Sequence, residues 1–172
     1  MRWMWIDRVT ELTPRKRMVA IKNVTLSEEH LHAHFPATET EAAVPVMPAS
    51  LMIEGMAQTA GVLVGHAEGF KEKVVLAKVS DATIDADVGP GMTIRYTAEI
   101  TQIDEQGAAT KGTIEVLDHA NAETGYQPVG TVDLMFSHLD HNRSGLEFPE
   151  HNFVFGDSFK TLLRTSGIEI PG

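Results

Sequence analysis

The residues from 44 to 65, VPVMPASLMIEGMAQTAGVLVG, form an apolar window that contains a single charged residue, Glu54. The window lacks the period-two alternation of a half-buried strand, and Pro48 suits the first turn of a helix. A helix that is apolar nearly all round is buried on most of its faces. We therefore predict a buried central helix over about residues 48 to 66.

The same window is long enough to cross a bilayer, so a membrane span is the alternative. Glu54 and Gln58 would then lie near the bilayer centre, where an acidic side chain costs about 2.5–3.5 kcal/mol. The strand-like segments that follow would also have no reason to be there. We favour the buried core helix and expect no membrane span.

The rest of the chain has the alternating pattern of β-strands. One such segment precedes the helix at residues 17–25, and four follow it, at 73–87, 92–104, 108–118 and 126–138. A sheet that wraps around a central helix meets the burial needs of both elements. We predict an α+β fold with an antiparallel sheet of five or more strands, the last four forming a meander.

The chain is predicted to divide into a domain, residues 1–138, and a C-terminal extension, residues 139–172. The extension begins with a loop-like segment, HNRSGLEFPEHNF. The segment FGDSFKTLLRTSG then places Phe159, Leu162 and Leu163 at helical spacing. We expect a short helix here, packed on the domain.

Composition excludes several classes of function. A net charge of −10 argues against a nucleic-acid binder and against adsorption to anionic membranes. The chain has no cysteine, which removes disulfides, thiolate catalysis and cysteine-bound zinc. The N-terminal apolar stretch is too short for a signal peptide because Asp7 and Arg8 interrupt it. We expect a cytoplasmic protein.

Two features point to chemistry. Burying an unpaired charge is costly, so Glu54 should be paired, protonated or catalytic. His30, His32 and His34 would share one face of an extended chain, where they could bind a metal together with Glu28. The alternative is that these histidines are solvated or cap a sheet edge.

Three motifs resemble the signature of the 3-hydroxyacyl-acyl-carrier-protein dehydratases of the FabZ and FabA type. They are HFP at 34–36, VPVMP at 44–48 and LMIEGMAQTAG at 51–61, in family order. The segments IDRVTEL and VAIKNVT also resemble the N-terminal helix and first strand of that family. The resemblance implies a hot-dog fold and a homodimer, possibly assembled into a hexamer as a trimer of dimers. It implies no cofactor and no metal.

The resemblance also implies a reaction and roles for five residues. A 3-hydroxyacyl thioester, carried by acyl carrier protein, would lose water to give a trans-2-enoyl thioester in fatty-acid or related lipid synthesis. His34 would remove the C2 proton, and Glu54 of the other subunit would protonate the departing hydroxyl. Ala49, in the place of a family glycine, and Ser50 would offer oxyanion-binding N–H groups, and Gln58 would orient Glu54.

The sequence also departs from the family pattern. Extra residues lie at 37–43, between His34 and the central helix, and a surface loop absorbs such an insertion cheaply. Acidic residues, Asp81, Asp85 and Asp87, stand where the family is basic or neutral. Acyl carrier proteins are acidic, so a docking patch would have to use the remaining basic groups. These groups are Arg15, Lys16, Arg17, Lys71, Lys73 and Lys78.

Two alternative functions remain open. One is a hot-dog thioesterase, which would release free thiol, or a dehydratase that acts on coenzyme A esters. The other is a non-catalytic acyl-binding homologue, which would bind acyl chains without turnover. A fold alone does not separate these functions.

Overall fold

The structure is a computed structural model that describes residues 3–139 and 155–169. Its elements, in chain order, are β1 (Arg8–Thr13), β2 (Arg17–Asn23), α1 (Glu29–His34), α2 (Ala49–Ala67), β3 (Lys73–Ile84), β4 (Met92–Asp104), β5 (Gly107–Asp118), a 3-10 helix (His119–Thr124), β6 (Gln127–Leu139) and α3 (Asp157–Thr165).

The described strands form one antiparallel sheet in the order β1-β2-β4-β5-β6-β3. The helix α2 packs against β2 to β6, so the sheet wraps around it as predicted. One face of β4 is part of the core, because Ile94, Tyr96 and Ala98 are fully buried. The Tyr96 ring lies so close to α2 that a Cβ on Gly55 would be 2.4 Å from it. This position therefore requires a glycine.

The predicted helix is confirmed with nearly the predicted bounds. Pro48 is the residue before its first turn, and no side chain caps that end. Proline fits there because its fixed φ suits a helix start and its missing N–H would have no intrahelical partner. The helix is buried along most of its length, as an apolar window requires.

The N-terminal segment IDRVTEL is not a helix, and the resemblance was wrong on this point. Residues Arg8–Thr13 form β1, which pairs with β2 in a hairpin that closes between Thr13 and Arg17. Arg15 has a positive φ of 60° in the turn. Val9 is buried while its neighbours Arg8 and Thr10 are exposed, which is the alternation of a strand rather than of a helix.

The predicted four-strand meander is also wrong for its first member. The strands β4, β5 and β6 form a meander, but β3 pairs with β6 at the far edge of the sheet. Residues 76–83 of β3 are exposed. The long strand β3 is thus an edge with a largely uncovered surface.

The predicted C-terminal helix is present as α3. Its Leu162 and Leu163 are buried, and the hydroxyl of Ser166 accepts a 3.0 Å hydrogen bond from the backbone N–H of Val9 in β1. The segment HNRSGLEFPEHNF, predicted as a loop, lies outside the described residues. The division of the chain into a domain and an extension at residue 138 stays a prediction.

Candidate active site

The carboxyl group of Glu54 lies half-buried on α2 and is paired, which is one of the three states that the sequence predicts. The indole N–H of Trp3 donates a 2.9 Å hydrogen bond to its Oε1 atom. The side-chain amide of Gln58 donates a second, of 3.0 Å, to the same oxygen. Both donors are neutral, and neither of them bonds to the other carboxyl oxygen, Oε2.

Gln58 lies one helical turn after Glu54 and is buried. Its carbonyl oxygen accepts a 2.8 Å hydrogen bond from the backbone N–H of Trp5, and its amide also donates to the Trp3 carbonyl at 3.2 Å. These bonds fix the orientation of the amide. Gln58 therefore links the N-terminal segment to the carboxyl group of Glu54.

The Glu54 carboxyl opens into an apolar groove of about 280 Å³. Its lining residues are Trp3, Glu54, Ala57, Gln58, Gly61, Val62, Val74, Val75, Leu76, Phe136, Phe155 and Phe159. A groove with one carboxyl group and mostly apolar walls has the character of a small-molecule site.

His34 is exposed at the end of α1 and lines a different pocket. The lining of that pocket is His34, Phe35, Val46, Met47, Ala49, Met52, Ile84, Asp85, Ala86 and Asp87. The N–H groups of Ala49 and Ser50 belong to the first turn of α2, where helix geometry provides no intrahelical acceptor for them. Within one chain, the structure therefore brings His34 close to Ala49 and brings Gln58 to Glu54. It does not bring His34 and Glu54 into one pocket.

The extra residues before the central helix close on themselves. The backbone N–H of Val44 donates a 3.0 Å hydrogen bond to the carbonyl of Phe35, so the two ends of the insertion meet. Inside the loop, Thr38 accepts from the N–H groups of Thr40 and Glu41. The insertion is therefore a loop whose two ends lie next to each other beside His34.

The three histidines do not share one face, because residues Glu29–His34 form the helix α1 instead of an extended segment. His32 bonds to the carbonyl of Leu26 at 2.7 Å, and the His30 ring packs edge-on against Trp5. Burial lowers the pKa of His30, with Glu28 opposing that shift. The described residues contain no group of three or more potential ligands placed to hold a metal.

His138 is buried, although its position beside the polar residues of HLDHN favours a surface loop residue. It lies in β6 with 7% of its surface exposed, and its Nε2 atom has no hydrogen-bond partner among the described residues. The alternation of β6 places its side chain inward. It lines a pocket remote from the two described above.

The basic residues proposed as a carrier-protein dock are partly engaged elsewhere. Arg15 pairs with Glu68 at 3.2 Å, and Arg17 bonds to Glu11 at 2.5 Å. Lys73 is buried, with 6% of its surface exposed. These contacts reduce the positive charge available to a partner, so the structure adds no support for this patch.

The contact between Trp3 and Glu54 could not be predicted from a local pattern, because 51 positions separate the two residues. The available signal was the density of tryptophan in MRWMWID, since an indole N–H usually finds a partner when it packs against a protein surface. Phe155 and Phe159 of the C-terminal extension also line the groove. The helical spacing of Phe159 predicted only that it packs on the domain, and no pattern indicated a role for Phe155.

Several known proteins resemble this chain in sequence. Residues 2–122 match the family model described as FabA-like domain. A 3-hydroxyacyl-[acyl-carrier-protein] dehydratase FabZ of Clostridium kluyveri is 35% identical over 122 residues, which cover 70% of this chain and 81% of that protein. A FabZ of Bacillus pumilus is 36% identical over 111 residues, covering 64% and 72% of the two chains.

Solved structures resemble the chain in fold. The dehydratase heterocomplex ApeI:P from Xenorhabdus doucetiae matches with a TM-score of 0.59 and 17% identity, covering 80% of this chain and 84% of that one. A thioesterase family protein from Silicibacter pomeroyi matches with a TM-score of 0.58 and 11% identity, covering 77% and 83%. These likenesses confirm the predicted hot-dog fold. Within residues 3–139 and 155–169, none of the helices combines the length and apolar character needed to cross a bilayer.

Proposed function

The chain belongs to the FabA-like family of 3-hydroxyacyl-acyl-carrier-protein dehydratases, and from this premise we propose that it eliminates water from 3-hydroxyacyl thioesters carried by acyl carrier protein. The observation that carries the proposal is the environment of Glu54. Its carboxyl group faces an apolar groove and accepts hydrogen bonds from two neutral donors. The reaction belongs to fatty-acid or related lipid synthesis, and a cytoplasmic location is part of the proposal.

Glu54 acts as the general acid in this proposal. The N–H groups of Trp3 and Gln58 bond to Oε1, so in this proposal Oε2 is the oxygen through which Glu54 delivers a proton to the leaving hydroxyl.

His34 acts as the general base. An imidazole nitrogen takes the C2 proton, the C2–C3 double bond forms, and the C3–O bond breaks as Glu54 protonates the departing hydroxyl to water. The charge that builds on the thioester oxygen needs fixed donors. The first-turn N–H groups of Ala49 and Ser50 are available beside His34 for this purpose.

A complete site needs two chains in this proposal, because His34 and Glu54 line separate pockets of one chain. Edge strand β3 connects the two pockets. Val75 near one end of β3 lines the Glu54 groove, while Asp85, just past the other end, lines the His34 pocket. The exposed residues 76–83 lie between them.

Pairing of two β3 strands would join those pockets. Val75 and Asp85 are equally distant in sequence from Ser80. Two copies of β3 paired antiparallel about Ser80 therefore place Val75 of each chain opposite Asp85 of the other. This two-fold arrangement brings the Glu54 groove of one chain to the His34 pocket of its partner, twice per dimer. Further assembly into a hexamer stays a prediction.

The proposal is tested by following the reverse reaction, the hydration of trans-2-enoyl thioesters. Loss of enoyl absorbance and release of free thiol are recorded together, with substrates on acyl carrier protein and on coenzyme A. Wild type is compared with His34→Ala and Glu54→Gln. The matched controls are His32→Ala, an exposed histidine two positions away, and Glu68→Gln, an acid just after α2 that lies outside the groove.

We expect enoyl loss without thiol, abolished by His34→Ala and by Glu54→Gln but kept by both controls. Faster turnover of the coenzyme A substrates would indicate that coenzyme A, and not acyl carrier protein, carries the natural substrate. Thiol release would instead indicate a thioesterase. Acyl binding without turnover on any substrate would contradict the proposal and indicate a non-catalytic homologue.

A further inference from the structure

The groove that begins at Glu54 follows one face of α2. Its lining residues on this helix are Glu54, Ala57, Gln58, Gly61 and Val62, which recur at the spacing of a single helical stripe. The start of β3 and Phe136 of β6 form the opposite wall. After Gln58, every lining residue on α2 is apolar. The groove thus offers an apolar channel that leads away from one carboxyl group.

Two aromatic residues close the far end of this groove. Phe155 packs on α2 one turn beyond Val62, so closely that a Cβ on Gly65 would be 2.4 Å from its ring. Phe159, half-buried on α3, lies edge-on to Phe155 with ring centroids 6.1 Å apart. Phe155 also packs edge-on against Phe70 at 5.0 Å. The Phe155–Phe159 pair forms an end wall.

The end wall belongs to the C-terminal extension. The family match ends at residue 122, so neither phenylalanine is part of it. The wall is nevertheless held in place, because Leu162 and Leu163 of α3 are buried and Ser166 bonds to Val9. A wall with this support resists displacement by a ligand.

We propose that α3 limits the length of the acyl chain that this protein accepts, and that Phe159 is the residue that sets the limit. The inference rests on the proposed function, since it takes the acyl thioester as the occupant of the groove. Glu54 and Val62 are eight residues apart, which corresponds to about 12 Å along a helix. An extended alkyl chain zigzags, so its bonds of about 1.5 Å advance it by only about 1.25 Å per carbon, and the distance holds on the order of ten chain carbons beyond the reacting centre.

The test measures binding and turnover as functions of chain length. Non-reactive amide analogues of acyl-pantetheine, in a series of increasing length, are titrated by calorimetry. Their binding is compared with hydration of the matching trans-2-enoyl thioesters. The variant is Phe159→Ala. The control is Lys160→Ala, which changes the neighbouring residue of α3, an exposed side chain that does not line the groove.

Wild-type affinity should rise with chain length and then fall once the chain meets the wall. Each methylene that becomes buried strengthens binding about fourfold, so Phe159→Ala should favour chains two carbons longer by about tenfold or more. Lys160→Ala should keep the wild-type limit, because it leaves the end wall and its buried support unchanged. An unmoved limit in folded Phe159→Ala, or an equal shift in Lys160→Ala, would overturn the assignment of Phe159.

The two readouts separate this inference from the proposed function. Binding with a length limit but no turnover would reject the dehydratase and retain the end wall. Turnover with no length limit would retain the dehydratase and reject the end wall. Failure to bind any analogue would reject the groove as an acyl site.

Discussion

Glu54 interrupts an otherwise apolar helix, and the group that holds it there is Gln58. The amide donates to the Glu54 carboxyl and accepts from the buried N–H of Trp5, so one side chain supports both the site and the fold. A residue with two such roles affects stability and activity by separate routes.

Replacement of Gln58 by leucine should separate those effects. The substitution leaves the buried N–H of Trp5 unpaired, which costs about 1–3 kcal/mol of unfolding free energy. It also removes the hydrogen bond from Gln58 that orients the Glu54 carboxyl, so kcat for enoyl hydration should fall by about tenfold or more. Chemical denaturation and steady-state kinetics measure the two effects. Unchanged kcat in a folded, destabilised variant would contradict the positioning role.

Part of this residue-level arrangement could be predicted from sequence. Residues at i and i+4 on a helix are neighbours, so the contact of Gln58 with Glu54 follows once the helix is assigned. The contact of Trp3 with Glu54 depends on the fold of the N-terminal segment over α2, which no local pattern encodes. His30, His32 and His34 were misread because the helical conformation of six residues, α1, was not recognised.

At the scale of elements, turn signals located strands but not their neighbours. The predicted bounds of β4 were confirmed because Gly89-Pro90-Gly91 precedes it and a second turn follows. The position of β3 beside β6 depends on pairing between distant segments, and the alternation within β3 does not predict which strand it pairs with. The edge that results is the surface on which the proposed dimer depends.

A charge on the exposed edge strand should therefore break the dimer. Val79 is 40% exposed, and in two strands paired about Ser80 it lies opposite Asp81 of the partner subunit, so Val79→Asp places like charges directly across the interface twice per dimer. We expect a folded monomer without hydratase activity, detected by sedimentation. Met135→Asp is the control, because Met135 is 47% exposed but lies on β6, which is paired on both sides. Dimeric, active Val79→Asp would contradict the β3 interface.

The insertion between His34 and α2 should be dispensable. Phe35 and Val44 are joined by a 3.0 Å hydrogen bond, so residues 37–43 can be replaced by a single glycine, which leaves Pro36-Gly as a two-residue turn that keeps the same bond. A surface loop contributes little to stability, so hydratase activity should stay within about threefold of wild type. Loss of activity in a folded variant would show that the insertion contributes to the site.

At the scale of the whole molecule, the chain joins a FabA-like region to an extension that contributes side chains to the same groove. Helical spacing in FGDSFKTLLRTSG predicted α3. It did not predict that Phe155, before this helix, and Phe159, within it, line the same groove as Glu54. Which surface a short amphipathic helix covers is decided by packing over long sequence distances. The sharing of one site between two chains, by contrast, is implied by the family resemblance, and it stays a prediction.

The central claim is that His34 and Glu54 act on one substrate from different subunits. It is tested most directly by mixing His34→Ala with Glu54→Gln, each inactive alone, after unfolding and joint refolding. Random pairing makes half of the dimers heterodimers, each with one intact site, so activity should return to about a quarter of wild type. A mixture that refolds into dimers and stays inactive would contradict the shared site.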